Sequence, residues 1–205
     1  MSANTNGRTL PRRKSIRLQD FDYTEPNAYF VTICARNRTC LFGRIIDDAM
    51  HLNDFGRIAS VLWEQIPAHF PHMVLDEWVV MPNHVHGIVF IAESNRGGNA
   101  LPQGPGAVSR ATHASPETDA NMHRLTKTSA SPQKGSIGAA VGSYKSAVTK
   151  HIGDVFGKSR ETIWQRGFYD HVIRNRTALD RIRRYIAENP ARWSRDPENP
   201  DRNRL

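Results

Sequence analysis

Apolar residues fall along the chain in blocks whose spacing changes from block to block. Tyr29-Phe30-Val31-Thr32-Ile33-Cys34 is rich in β-branched and aromatic residues and predicts a strand. Phe55, Ile58, Leu62 and Ile66 then recur at helical spacing. Asn53 or Asp54 can cap that helix, and Pro67 and Pro71 bracket its end. Met73 to Met81 and Val85 to Ile91 are two apolar runs parted by Pro82-Asn83-His84, which predicts two adjacent antiparallel strands. Ile137, Ala140, Val141, Tyr144, Val148 and Ile152 trace one face of a helix. Tyr169 to Ile173 reads as a strand entered from a loop that begins at Trp164. A last helix carries Leu179, Ile182, Arg183 and Ile186 in line. Thr177 with Asp180 resembles a capping box at its start, and Asn189-Pro190 stops it.

The order is strand, helix, strand, strand, helix, strand, helix. Its first six elements form the split βαβ arrangement of a ferredoxin-like α+β domain. The expected architecture is an antiparallel sheet with helices on one face, plus a C-terminal helix.

Between the two halves the pattern disappears. Residues 92–135 are rich in Gly, Pro, Ser, Asn, Thr and Ala, with few large apolar side chains, and predict a disordered insertion. Residues 1–27 are polar, carry Arg12, Arg13, Lys14 and Arg17, and predict a flexible basic arm. The expected domain is then 28–193, followed by a charged, proline-containing tail over 194–205. A length of 205 residues suits one domain with such additions. It is long enough to bury a core without a disulfide or metal staple. The mean hydropathy of −0.56 agrees with a chain that is only partly packed.

Charge narrows the partners. Lys and Arg number 28 against 20 Asp and Glu, which leaves +8. That balance favours a polyanion, nucleic acid before others. No apolar run approaches the roughly 20 residues that span a bilayer, so no membrane partner is expected. With a polar start and two cysteines, Cys34 and Cys40, the expected location is cytoplasmic and reducing.

The sharpest chemical signal is Met81-Pro82-Asn83-His84-Val85-His86. Side chains alternate across a strand, so His84 and His86 share one face and Val85 takes the other. Two neutral imidazoles so placed can hold a divalent metal. A bare His-x-His is otherwise a pair of surface histidines on a strand.

Met-Pro-Asn-His-Val-His between apolar strands resembles the HUH motif of single-tyrosine transposases, the family that includes the REP-associated tyrosine transposases. Ile163-Trp164-Gln165-Arg166-Gly167-Phe168-Tyr169 is similar to that family's Trp-Gln segment. Arg184-Tyr185-Ile186-Ala187-Glu188-Asn189-Pro190 is similar to its closing helix. The matches fall in the family's order and span Tyr29 to Trp193, insertion excluded.

The resemblance implies an enzyme that cleaves and rejoins single-stranded DNA near hairpins. A tyrosine hydroxyl attacks a phosphodiester, giving a 5′-phosphotyrosine and a free 3′-hydroxyl, and Mg²⁺ or Mn²⁺ at His84 and His86 polarises the phosphate. Imidazole ligands alone would favour zinc or nickel over these ions. The resemblance places the tyrosine on the helix after the HUH strand, where Tyr144 stands. Tyr144 also lies on that helix's apolar stripe, as a packed tyrosine would. Where some relatives carry a polar ligand one turn later, this chain has Val148, with Thr149, His151 or water as replacements. Tyr169 is the second choice of nucleophile.

Lys145, Lys150, Arg166, Arg174 and Arg176 are candidate phosphate contacts, or members of a solvated basic face. Trp164 either stacks on a base or anchors a loop, and Tyr185 is expected at the core or rim of the last helix. Partners implied are single-stranded or hairpin DNA, with a homodimer left open. Two alternatives stand beside the transposase reading. One is a non-catalytic hairpin-DNA-binding protein derived from such a transposase. The other is an unrelated metal hydrolase built on the two histidines.

Overall fold

A computed structural model of the chain describes residues 22–92, 132–157 and 163–202. The basic arm up to residue 21 and most of the 92–135 insertion lie outside the described residues.

The elements run β1 (Ala28–Cys34), β2 (Gly43–Ile46), β3 (Ala49–Leu52), α1 (Asp54–Glu64), the single turn α2 (Ile66–His69), β4 (Met73–Val80), β5 (His84–Ile91), α3 (Ile137–Phe156), β6 (Tyr169–Ile173) and α4 (Arg176–Glu188). Short 3-10 turns follow β1 at Arg36–Arg38 and α4 at Pro190–Arg195. Four strands form one sheet in the order β4-β5-β1-β6, and every neighbouring pair is antiparallel. This is the expected α+β arrangement, with β1 and β5 at the centre.

The helix starts follow local chemistry. The Asn53 side chain accepts a hydrogen bond from the Gly56 N–H, and Ser136 does the same for Ala139. At α4 the cap is Asn175, which accepts from Ala178, rather than the expected Thr177. Asn175 holds extended backbone angles while Thr177 is already inside the helix. The β2–β3 hairpin was not apparent in the sequence. It turns on Asp47-Asp48, both with positive φ (47° and 60°), a two-residue turn made without the usual glycine.

The two sheet faces are packed differently. Tyr29, Val31, Ile33, Val85 and Val89 face α1 and α3, where Trp63, Tyr144, Val148 and Trp164 complete an apolar core. Gly87 belongs to this face because Trp63 lies directly over it: a Cβ there would come within 2.3 Å of the indole ring. Ala28, Phe30, Ile88 and Ile173 face the other way and are covered by Leu179, Ile182, Tyr185 and Ile186 of α4. The C-terminal helix therefore packs on the face opposite α1 and α3.

Candidate metal centre

His84 and His86 open β5 and point to the α4 face, as alternation requires. Both are buried, and their ring centroids are 4.3 Å apart. Asn83 Oδ1 accepts a 2.8 Å hydrogen bond from His84 Nδ1. His86 Nδ1 shares a 2.8 Å hydrogen bond with Thr32 Oγ1 on the neighbouring strand. Burial pushes the His86 pKa down to about 3, against a smaller opposing effect of the Val31 carbonyl. The ring thus stays neutral, the form that ligates metals.

A third donor comes from the chain end. After α4 the chain turns at Asn189-Pro190 and returns across the mouth of β5, which brings Asp196 to the histidines. One ligand atom from each of His84, His86 and Asp196 lies within 4.8 Å of the other two. All three residues are buried. The carboxylate is oriented by Asn189 Nδ2 at 3.1 Å on Oδ2 and by the Glu198 N–H at 2.6 Å on Oδ1. Glu198 is held in turn by Arg38, whose Nε is 2.9 Å from its carboxylate. Its carboxylate also accepts a long 3.5 Å contact from the buried Cys34 thiol, whose pKa is pushed up chiefly by its own burial.

The donor set fits a divalent cation. Two neutral imidazoles and one carboxylate supply three ligands and a single negative charge, and the carboxylate makes the set harder than imidazoles alone. The histidine pair was legible in the sequence; Asp196 was not, lying in the segment read as a tail.

The tyrosines divide between the two faces. Tyr185 sits on α4 with its hydroxyl 3.3 Å from His86 Nε2 and its ring 5.3 Å from the imidazole, centroid to centroid. Tyr144 does not join the histidines. It is buried on the opposite face, wedged against Trp63 and Trp164, and its hydroxyl donates to the Ala59 carbonyl at 3.1 Å. Burial drives its pKa far up, so ionisation there is strongly opposed. Tyr169 is on the histidine face but one strand further away, its ring edge-on to Phe30 at 6.2 Å. Tyr185 carried a signal in the sequence: it is three residues after Ile182 and beside Ile186, on the stripe that faces the sheet.

The basic candidates scatter. Lys145 Nζ donates to the Gln165 and Gly167 carbonyls at 2.6 and 2.9 Å and so pins the loop before β6. Its pKa is lowered to about 8 by burial. Lys150 is exposed and pairs with Asp154 on its own helix. Arg166 is exposed beside the end of β1, where the Gln165 N–H bonds to the Cys34 carbonyl, at the same end of the sheet as His84. Arg174 and Arg176 are exposed at the opposite end, because Ile173 pairs with Ala28. At roughly 3.3 Å per residue, the length of β1 puts some 20 Å between the two groups.

Against known proteins, one curated relative aligns over nearly the whole chain. It is an uncharacterized protein of Haemophilus influenzae, 38% identical over 193 residues, covering 91% of this chain and 93% of its own. The chain belongs to that protein's family. No model of a known protein family matches. A solved structure described as a REP-associated tyrosine transposase bound to a REP hairpin aligns over 94% of this chain and 74% of its own, at 20% identity and a TM-score of 0.45. Among the described residues, no helix is long and apolar enough to cross a membrane.

Proposed function

We propose that the protein is a metal-dependent DNA strand transferase of the HUH type and that Tyr185 is its nucleophile. One observation carries this reading: the Tyr185 hydroxyl lies against His86, one of three clustered donors able to hold a divalent ion. The HUH-like motif, the Trp-Gln segment and the Tyr-Ile-x-x-Asn-Pro helix support it from the sequence.

His84, His86 and Asp196 would hold the ion, Mg²⁺ or Mn²⁺. When bound, it would polarise the scissile phosphate and stabilise charge that develops there. Tyr185 loses its phenolic proton, and its oxygen bonds to phosphorus as the P–O3′ bond breaks. The departing 3′-oxygen takes up a proton. The products are a 5′-phosphotyrosine and a free 3′-hydroxyl. Attack by a 3′-hydroxyl on the phosphotyrosine reverses the step and rejoins DNA, so no nucleotide is consumed. Half-burial of Tyr185 keeps its ring fixed by Phe30 and His86 while one edge stays reachable.

The substrate is single-stranded DNA folded into a hairpin with a flanking single strand, handled in the cytoplasm. Exposed Arg166, at the His84 end of the sheet, and exposed Arg184 and Arg195, next in sequence to Tyr185 and Asp196, are the proposed phosphate contacts. The full chain mixed with labelled hairpin DNA and Mn²⁺ should release one fragment ending in a 3′-hydroxyl and leave the other attached to protein. Both products should vanish with EDTA. Two protein-free fragments would instead indicate hydrolysis and contradict the proposal. Tight hairpin binding with no cleavage would favour the non-catalytic DNA-binding alternative.

A further inference from the structure

Asn83 stands where three segments meet, and its side chain is fully buried. Its Nδ2 donates to the Arg38 carbonyl at 2.9 Å and to the Glu198 carbonyl at 2.7 Å. Its Oδ1 faces His84 Nδ1 at 2.8 Å. Carbonyl oxygens only accept, so the amide has one satisfactory orientation, nitrogen toward the two carbonyls. A flipped amide would set its oxygen against both. With Oδ1 thus facing the ring, His84 Nδ1 must carry a proton, and in a neutral ring Nε2 is then left as a lone pair. The same amide tethers Glu198, whose backbone N–H orients Asp196. Thr32 cannot impose the same choice on His86, because a hydroxyl both donates and accepts.

We propose that Asn83 is a positioning residue of the metal centre: its amide locks His84 as the Nδ1–H tautomer and ties the Asp196 segment to the same point. The proposal rests on the reading of His84, His86 and Asp196 as metal ligands. Such outer partners typically govern affinity by about 10- to 100-fold.

The test reads the ring protons directly. Long-range ¹H–¹⁵N spectra of the metal-free, ¹⁵N-labelled full chain distinguish a protonated ring nitrogen from a bare one. Wild type should show His84 protonated at Nδ1. Asn83→Ala should mix the tautomers and weaken Mn²⁺ binding by about 10- to 100-fold in a calorimetric titration. Asn83→Asp still accepts from Nδ1–H but cannot donate to the carbonyls. It should keep the tautomer while the Glu198 amide exchanges faster with solvent. If Asn83→Ala fails to fold, wild type and Asn83→Asp still decide. An Nε2–H tautomer in wild type would overturn the proposal. So would an Asn83→Ala protein with unchanged tautomer and affinity. A wild-type chain that binds no Mn²⁺ would instead overturn the metal reading itself.

Discussion

The two faces of the central sheet are built from alternate residues of the same strands, yet they do different work. Under α1 and α3 the face is apolar and closed: Trp63 fills the space left by Gly87, and Tyr144 has given its hydroxyl to a helix carbonyl. Under α4 and the returning chain end, the face holds two histidines, Asp196, Thr32 and Tyr185. Each face carries a tyrosine on an overlying helix. What separates them is the company of the hydroxyl. Tyr144 is sealed among indoles with its ionisation opposed by burial, whereas Tyr185 sits beside an imidazole. An apolar stripe alone therefore does not tell a tyrosine packed among indoles from one set beside an imidazole.

Single substitutions separate the two faces. Asp196→Asn, on the α4 face, should have the largest effect on the metal centre, lowering Mn²⁺ affinity by about 100-fold or more with little change in Tm. Loss of a ligand should cost at least as much as loss of an outer partner. A titration that matches wild type would remove Asp196 from the site. Gly87→Ala, on the closed face, should destabilise the chain by about 1–3 kcal/mol, since its methyl would collide with Trp63. Urea unfolding would read this directly.

Smaller effects are expected on the closed face. Tyr144→Phe removes one hydrogen bond and should cost about 1 kcal/mol of stability. Lys145 gives a pH signature. Burial lowers its folded pKa to about 8, below the ordinary lysine value of 10.5, so the unfolded chain binds more protons between those values. Lys145 should therefore add stability as pH rises from 8 to 10.5, and Lys145→Met should lose that rise in unfolding measured across the range.

Much of this was legible in the sequence because two periodicities report faces directly. Period 2 in β5 placed His84 and His86 together, and period 3.6 found α1, α3 and α4. The antiparallel α+β arrangement followed from the order of those elements. Asp196 escaped because proximity there depends on a turn at Pro190 and on tethers from Arg38 and Asn83 that no local pattern records. The stripe placed Tyr185 toward the sheet, but its nearness to His86 was not legible because α4 had no assigned sheet face until the packing of Leu179 and Ile186 on Ile88 fixed one. The β2–β3 hairpin escaped because Asp47 and Asp48 take a turn geometry that sequence reading expects of Asn-Gly.

The proposed chemistry belongs to the α4 face and its tyrosine. Denaturing electrophoresis of the full chain with labelled hairpin DNA and Mn²⁺ tests it, with wild type beside Tyr185→Phe and Tyr144→Phe. Wild type and Tyr144→Phe should form a covalent protein–DNA band. Tyr185→Phe should form none while keeping its fold and its Mn²⁺ affinity. A band that survives Tyr185→Phe, or one lost from a well-folded Tyr144→Phe, would take the nucleophile away from Tyr185.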